Sequence, residues 1–348
     1  SYNTIGLVHK AKGEYDKALE YFQKSLAITL KQLGPEHPHV ATSYNNIGGV
    51  YEAKGEYDKA LEFHRKSLAI TLKQLGPEHP EVATSYNNIG GVYGAKGEYD
   101  KALEYFQKSL VINLKQLGPE HPHVATSYNN IGGVYEAKGE YDKALEFHRK
   151  SLAITLKQLG PEHPEVATSY NNIGGVYGAK GEYDKALEYL QKSLAITLKR
   201  LGPDHFNAAI AYSNIANVLA EQAQPDFPQA HQLVNRSEAI IRKTHGHDTP
   251  WLAFTHNARG RIFYEQSQPP KALAEYAKAE PLALRLFGKS HPKTARLYYY
   301  QGRTRRALKQ NPQAKALFQK ALAIQIKKPG PQHKDTRKTQ AALDALTP

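Results

Sequence analysis

A block of 42 residues, Tyr44 to Ser85, recurs letter for letter as Tyr128 to Ser169. Looser copies open at Tyr2, Tyr86, Tyr170, Tyr212, His256 and Tyr298, spaced by 42 except for 44 between Tyr212 and His256. The tract Gln224-Pro225-Asp226-Phe227-Pro228 carries that insertion. A constant period in this range specifies a solenoid, in which each unit packs on its neighbours instead of around one central core. Such a core grows with copy number, so 348 residues need not divide into ordinary domains.

The third copy shows the physics of one unit. Pro80 suits the first turn of a helix, where its missing N–H is not needed. Val82, Tyr86, Ile89, Gly90 and Tyr93 follow at three- and four-residue spacings and make one apolar stripe. Gly97 stands where a left-handed stop belongs. A second stripe runs through Tyr99, Ala102, Leu103, Phe106, Leu110 and Leu114, and Gly118-Pro119 closes it. Glu98 and Asp100 sit near the start of this helix, where its dipole favours anions. Small residues at Gly90 and Ala102 predict a close approach of the two helices. The unit is a helical hairpin that cannot bury its stripe alone.

This pattern resembles the tetratricopeptide repeat, with Tyr86, Ile89, Gly90, Tyr93, Ala102 and Phe106 at its signature places. The usual repeat is shorter, about 34 residues. The longer second helix and the linker Gly76-Pro77-Glu78-His79-Pro80 are similar to repeats of kinesin light chains and nephrocystin-like proteins. The resemblance implies an all-α, right-handed α-solenoid of about eight helix pairs plus a C-terminal capping helix. Residues 1–211 read as five near-identical units, 212–339 as three divergent ones, and 340–348 as the end of the capping helix. Arg259 replaces the signature Leu, and Gln301 and Arg305 replace Ile and Tyr, while Gly260, Ala272, Tyr276, Gly302, Ala314 and Phe318 keep register. The segment His333 to Leu346, with Thr336, Lys338, Gln340 and Asp344 among apolar residues, is expected to close the array with a solvated outer face.

The formal charge of +13 is unevenly spread. Acidic and basic residues balance from Ser1 to Ala211, whereas 256–339 carries 19 Lys and Arg against four Asp and Glu. That asymmetry suggests an acidic partner for one end. With no cysteine, disulfides and thiolate sites are excluded, which fits a reducing, cytoplasmic setting. No apolar run approaches the ~18–20 residues that cross a bilayer, so no membrane partner is expected. The chain opens in mid-repeat without an initiator methionine, which leaves room for further segments upstream. An uncapped first stripe would allow self-association.

Phosphate loops, His-Glu-x-x-His and Gly-x-Ser-x-Gly elbows are missing, so no catalytic residue and no cofactor are assigned. Of the 16 histidines, His37, His79, His121 and His163 recur one per linker, too far apart to share an ion at zinc's ~2 Å bond lengths. Helix capping accounts for them, and no metal site is expected. His64 and His148, in Glu-Phe-His-Arg-Lys, are expected on a solvated face.

The resemblance places ligand peptides against the first helix of each pair. On a helical wheel Thr84, Asn87, Gly91 and Gly94 lie opposite Tyr86, Ile89 and Tyr93. Asparagine recurs on that face as Asn3, Asn45, Asn87, Asn129, Asn171 and Asn257, with a second column at Asn46, Asn88, Asn130, Asn172 and Asn214. These amides either hold a peptide backbone or bond the neighbouring helix. Gly49, Gly91, Gly133 and Gly175 leave the early groove low in side chains, with Glu52 and Glu136 alternating with Gly94 and Gly178; a bulky or helical ligand would suit it. The face then turns basic and aromatic, through Phe254, Arg261 and Tyr264, then Arg296, Tyr299, Arg303 and Arg306. Arginine forks pair with carboxylates, and adjacent rings can stack on an apolar anchor. This resembles the basic pockets by which tetratricopeptide proteins hold acidic peptides; a merely solubilising surface is the alternative. The reading is a non-catalytic interaction scaffold for acidic peptide segments. A sensor arm of a larger signalling ATPase, or a nucleic-acid adaptor using Tyr298, Tyr299 and Tyr300 as stacking rings, stay open as alternatives.

Overall fold

The computed structural model describes residues 1–327, 330–331 and 333–346. Among these it contains only helices: α1 (Tyr2–Ala11), α2 (Tyr15–Leu33), α3 (Pro38–Ala53), α4 (Tyr57–Leu75), α5 (Pro80–Lys96), α6 (Tyr99–Leu117), α7 (Pro122–Lys138), α8 (Tyr141–Leu159), α9 (Pro164–Lys180), α10 (Tyr183–Arg200), α11 (Phe206–Glu221), α12 (Phe227–His245), α13 (Leu252–Glu265), α14 (Pro269–Phe287), α15 (Pro292–Ala307), α16 (Asn311–Lys327) and α17 (Lys334–Asp344). They form a tandem α-solenoid of helical hairpins. Two compact units divide the chain, Ser1–Val134 and Tyr135–Pro348, with the boundary inside α7.

In the first unit α1 packs on α2, α3 on α4 and α5 on α6, and each hairpin then packs on the next. The core of a hairpin is a ring lodged against a glycine. A Cβ added to Gly90 would come within 2.9 Å of the Phe106 ring, and one at Gly6 within 2.7 Å of Phe22. Only hydrogen at that position lets the ring sit on the opposite helix. In the second unit the same seat pairs Gly174 with Leu190, Gly260 with Tyr276 and Gly302 with Phe318. Burying one such side chain is worth about 1.5–3 kcal/mol.

His64 occupies this seat too, against Gly48, and is 2 % exposed. His148 is likewise buried, at 1 %. The expectation of a solvated face for both is therefore corrected. They stand at the register of Phe106, and Phe63, one residue earlier, takes the outer place beside Tyr51 at a ring separation of 5.5 Å. A neutral imidazole fills the seat because its Nδ1–H donates to Asn45 Oδ1 at 2.9 Å. Its Nε2 is buried without a partner.

Turn chemistry follows the repeat. Gly97 adopts the left-handed conformation at φ 73°, and Gly76 takes φ 80° and ψ 164°, a region open to glycine. The linker histidines cap, as their spacing suggests: His37, His79 and His163 each accept the backbone N–H two residues on, at 3.2 Å, with proline at the first helical turn. Surface lysines tie successive hairpins, Lys54 to Asp16 at 2.7 Å and Lys96 to Asp58 at 2.6 Å. Each such surface pair contributes at most about 1 kcal/mol.

In the second unit the insertion is a short loop, and Asp226 caps α12 by accepting from Gln229 N–H at 3.0 Å. Closing helix α17 packs on α16. Of the residues expected on its solvated outer face, Lys338, Gln340 and Asp344 are exposed and only Thr336 turns inward. Thr336, Thr339 and Ala342 are buried, and Thr336 donates to Gly330 O at 2.7 Å, whereas Lys338 and Gln340 are exposed. Of the segment assigned to the end of this helix, residues 347–348 lie outside the described residues. At the other end α1 exposes Tyr2, Ile5, Leu7 and Val8. No helix among the described residues is long and apolar enough to cross a membrane.

Burial lowers the pKa of His64 and of His148 from 6.5 to about 4. The unfolded chain therefore binds more protons between those values, so stability is full above about pH 6.5 and falls towards pH 4. The loss is of order 3 kcal/mol per histidine at the acid end. Replacing both with phenylalanine, the residue used at positions 22 and 106, should flatten the thermal midpoint between pH 7 and 4.5. A slope as steep as that of the parent chain would contradict the assignment.

Candidate functional site

The two asparagine columns meet each other. Asn46 Nδ2 donates to Asn3 Oδ1, Asn88 to Asn45 and Asn130 to Asn87, each at 2.8 Å, in the first unit. In the second unit Asn214 donates to Asn171 Oδ1 at 3.0 Å. The carbonyl of each first-column residue thus accepts from the next copy and helps hold successive hairpins in register. Asn129 keeps the same place in the sequence register. Asn257 breaks the pattern: its Oδ1 is buried without a hydrogen-bond partner, because Tyr300 stands where the next copy would supply the donating asparagine. The groove glycines are approached by neighbouring side chains; Lys10 Nζ lies 2.7 Å from a Cβ built on Gly49, and Glu52 Oε1 lies 3.8 Å from one on Gly91.

The basic and aromatic residues of α13 and α15 do converge, and the second unit partly neutralises them itself. Arg261 pairs with Glu221 and lies 5.0 Å over the Tyr300 ring. Arg303 sits 4.4 Å over Tyr264 and 6.0 Å over Tyr299, with Glu265 at 3.8 Å. Arg296 donates to Asp335 Oδ2 of α17 at 3.1 Å. Burial alone would raise the Asp335 carboxyl, but Arg296 and His333 hold it below its usual value. Arg306 is exposed at the end of α15. Phe254 instead joins an aromatic group, stacked on Trp251 at 5.9 Å and edge-on to Phe287 at 5.7 Å, with Lys293 Nζ 5.5 Å above its ring.

Sequence reasoning missed a buried ionic cluster. In the second copy Tyr44 packs on Phe63 at 6.0 Å. The corresponding pair in the seventh copy is His256 and Glu275, joined at 2.8 Å, and Arg259 at the Ile47 position reaches Glu275 at 3.3 Å and Glu238 at 2.5 Å. Both His256 and Glu275 are buried. Burial opposes ionisation of Glu275, yet hydrogen bonds from His256 and Lys278 and the charge of Arg259 bring its pKa to about 2. The signal was present: Arg259 breaks the signature where Glu275 also replaces an aromatic residue.

The start of α17 reaches back, within the second unit, to the α7–α8 turn and the end of α9. Lys334 Nζ donates to Ala179 O at 3.0 Å and lies 5.5 Å from the Tyr141 ring centre. His333 sits against Gly139, 3.2 Å from where a Cβ would be. Among the described residues no three His, Asp or Glu side chains converge as metal ligands. What the face offers is guanidinium forks, rings and amides, which recognise carboxylates and peptide groups.

The family model for the tetratricopeptide repeat matches residues 1–73, 44–115, 81–157, 123–199, 165–238 and 267–327. Among solved structures, the nearly identical repeats of a Podosopora anserina kinesin-light-chain protein share 28% identity at a TM-score of 0.50, covering 61% of this chain and 100% of that one. Two others share the fold at 16% identity and TM-scores of 0.65. The Rap conjugation gene regulator of plasmid pLS20, solved in complex with the Phr* peptide, covers 87% of this chain and 76% of its own. Aspartyl phosphate phosphatase F from Bacillus subtilis covers 82% and 70%. No curated protein matches by sequence.

Removing one partner of a buried ion pair leaves an uncompensated charge, at a cost of about 3–5 kcal/mol. Glu275→Gln should therefore lower the thermal midpoint sharply, while the double change His256→Tyr, Glu275→Phe, which restores the apolar pair, should recover most of the loss. Equal midpoints for the parent and Glu275→Gln would show that the cluster contributes nothing.

Proposed function

The chain belongs to the tetratricopeptide repeat family, and from that premise we propose that it is a non-catalytic scaffold that binds acidic peptide segments on the α13–α15 face. Arg296 and Arg303 take ligand carboxylates, Tyr264 and Tyr299 flank an apolar anchor, and Arg261 and Arg306 extend the positive field. The observation that carries this reading is the Arg296–Asp335 contact, in which an aspartate of the chain itself occupies the place a ligand carboxylate would take. Arg303 supports it, because the carboxylate of Glu265 lies 3.8 Å away, leaving the guanidinium stacked on rings but weakly paired. A chain of the same fold, the Rap regulator of pLS20, was solved with a peptide bound.

The asparagine columns enter this reading in a secondary role. Asn45, Asn87 and Asn129 serve the register of the first unit, and in the second unit Asn171 does the same and adds an amide to the polar surface open to a ligand backbone. Asn257 contributes to the ligand face through its amide nitrogen, because its carbonyl oxygen is buried.

Two substitutions separate this from a solubilising surface, because they should move affinity in opposite directions. Arg303→Glu should weaken binding of acidic, Trp- or Leu-anchored peptides about tenfold or more, as loss of a charge-assisted pair implies. Asp335→Ala should strengthen it several-fold by freeing Arg296. Fluorescence anisotropy with unchanged helicity checks both. Equal affinity in both variants, or no binding to any member of an acidic library, would overturn the proposal.

A further inference from the structure

The cradle that receives the start of α17 is present twice in this sequence. Identity between the copies runs beyond one repeat, from Leu30–Tyr105 to Leu114–Tyr189, 76 residues without a difference. The cradle in the second unit is made by Glu136, Ala137, Gly139, Tyr141 and Ala179. Its counterparts 84 residues earlier are Glu52, Ala53, Gly55, Tyr57 and Ala95, all in the first unit. The backbone is the same, with φ 76° at both Gly55 and Gly139.

The two cradles differ in what covers them. Ala137 and Gly139 are half-buried, with His333 lying over Gly139. Ala53 and Gly55 are exposed, and nothing lies within 4 Å of a Cβ built on Gly55. They differ in charge as well. Glu136 faces Arg296 and Lys293, whereas Glu52 faces Lys10. The first cradle is thus the less cationic of the two. The segment that fits it, with His333, Lys334, Arg337 and Lys338 against Asp335, is basic.

We propose that the Glu52–Tyr57 cradle binds the His333–Asp335 segment of a second copy of this chain, once that segment leaves the cradle it fills in its own chain. Lys334 of one molecule would lie over Tyr57 of the next and donate to Ala95 O, and His333 would cover Gly55. The contact is heterologous, tail to first unit, so the rotation between copies sets whether it closes into a ring or runs on as a filament. It does not rest on the acidic-peptide reading, which concerns α13 and α15.

The test is titration of a fluorescent peptide of residues 330–346 into the full chain. Saturable binding is expected, weakened about tenfold or more by Ala53→Trp, which fills an exposed position in the cradle, and changed less than about twofold by Ala137→Trp. The same peptide carrying Lys334→Glu should bind comparably weakly to the unaltered chain, a control that leaves the protein's fold untouched. Absence of binding, binding indifferent to Ala53→Trp, or binding lost instead in Ala137→Trp would each overturn the proposal. The last result would mean that the peptide merely exchanges with the chain's own tail.

Discussion

The lodging of a side chain against a helical glycine is the contact on which each hairpin depends. A Cβ at Gly6, Gly48, Gly90, Gly174, Gly260 or Gly302 would come within 2.5–2.9 Å of the opposing side chain, so the interhelical distance is set by the missing methyl. Because this distance recurs every 42 residues, so does the angle at which one hairpin hands its apolar stripe to the next. The asparagine columns, the capped linkers and the face of the first helices all inherit their positions from it. The seat accepts phenylalanine, histidine, leucine or tyrosine, provided that the polar ones are accommodated. His64 has Asn45 for this purpose. Tyr276 does not, and its hydroxyl is buried without a partner.

Variation at this and neighbouring positions divides the chain by chemistry. The early copies join the two helices of a hairpin with aromatic pairs such as Tyr86 and Tyr105, 5.9 Å apart. The seventh copy uses His256, Arg259 and Glu275 instead, replacing dispersion with a paired and largely dehydrated ionic cluster. The basic surplus of the last repeats is therefore not all surface charge. Arg259 belongs to the packing, and Arg261 is tied to Glu221. Arg296 is held by Asp335, and Arg303 lies over Tyr264 and Tyr299 with Glu265 3.8 Å away.

Periodicity made the hairpins, their caps and the closing helix legible, because each rests on local chemistry repeated in register. Gly97, His79 and Phe106 could be assigned from one copy alone. The histidines of the core were not read, because Glu-Phe-His-Arg-Lys looks solvated when taken by itself. Only alignment of His64 with Phe106 across one period reveals its inward direction. Thr336 was misplaced for the same reason: a hydroxyl that donates to a backbone carbonyl can be buried, and composition does not report that bond. The contact of α17 with Ala179, 155 residues away, has no sequence signal at all. It arises from the path of the second unit, which accumulates over many repeats.

In the proposed site Asp335 marks the place of a ligand carboxylate. Amide hydrogen exchange of α17 in the full chain, with and without a saturating acidic peptide, addresses that directly. Displacement of Asp335 from Arg296 predicts faster exchange from Lys334 to Gln340 when peptide is bound. Unchanged exchange there, with the peptide demonstrably bound, would place the ligand elsewhere and leave Arg296–Asp335 as a structural ion pair.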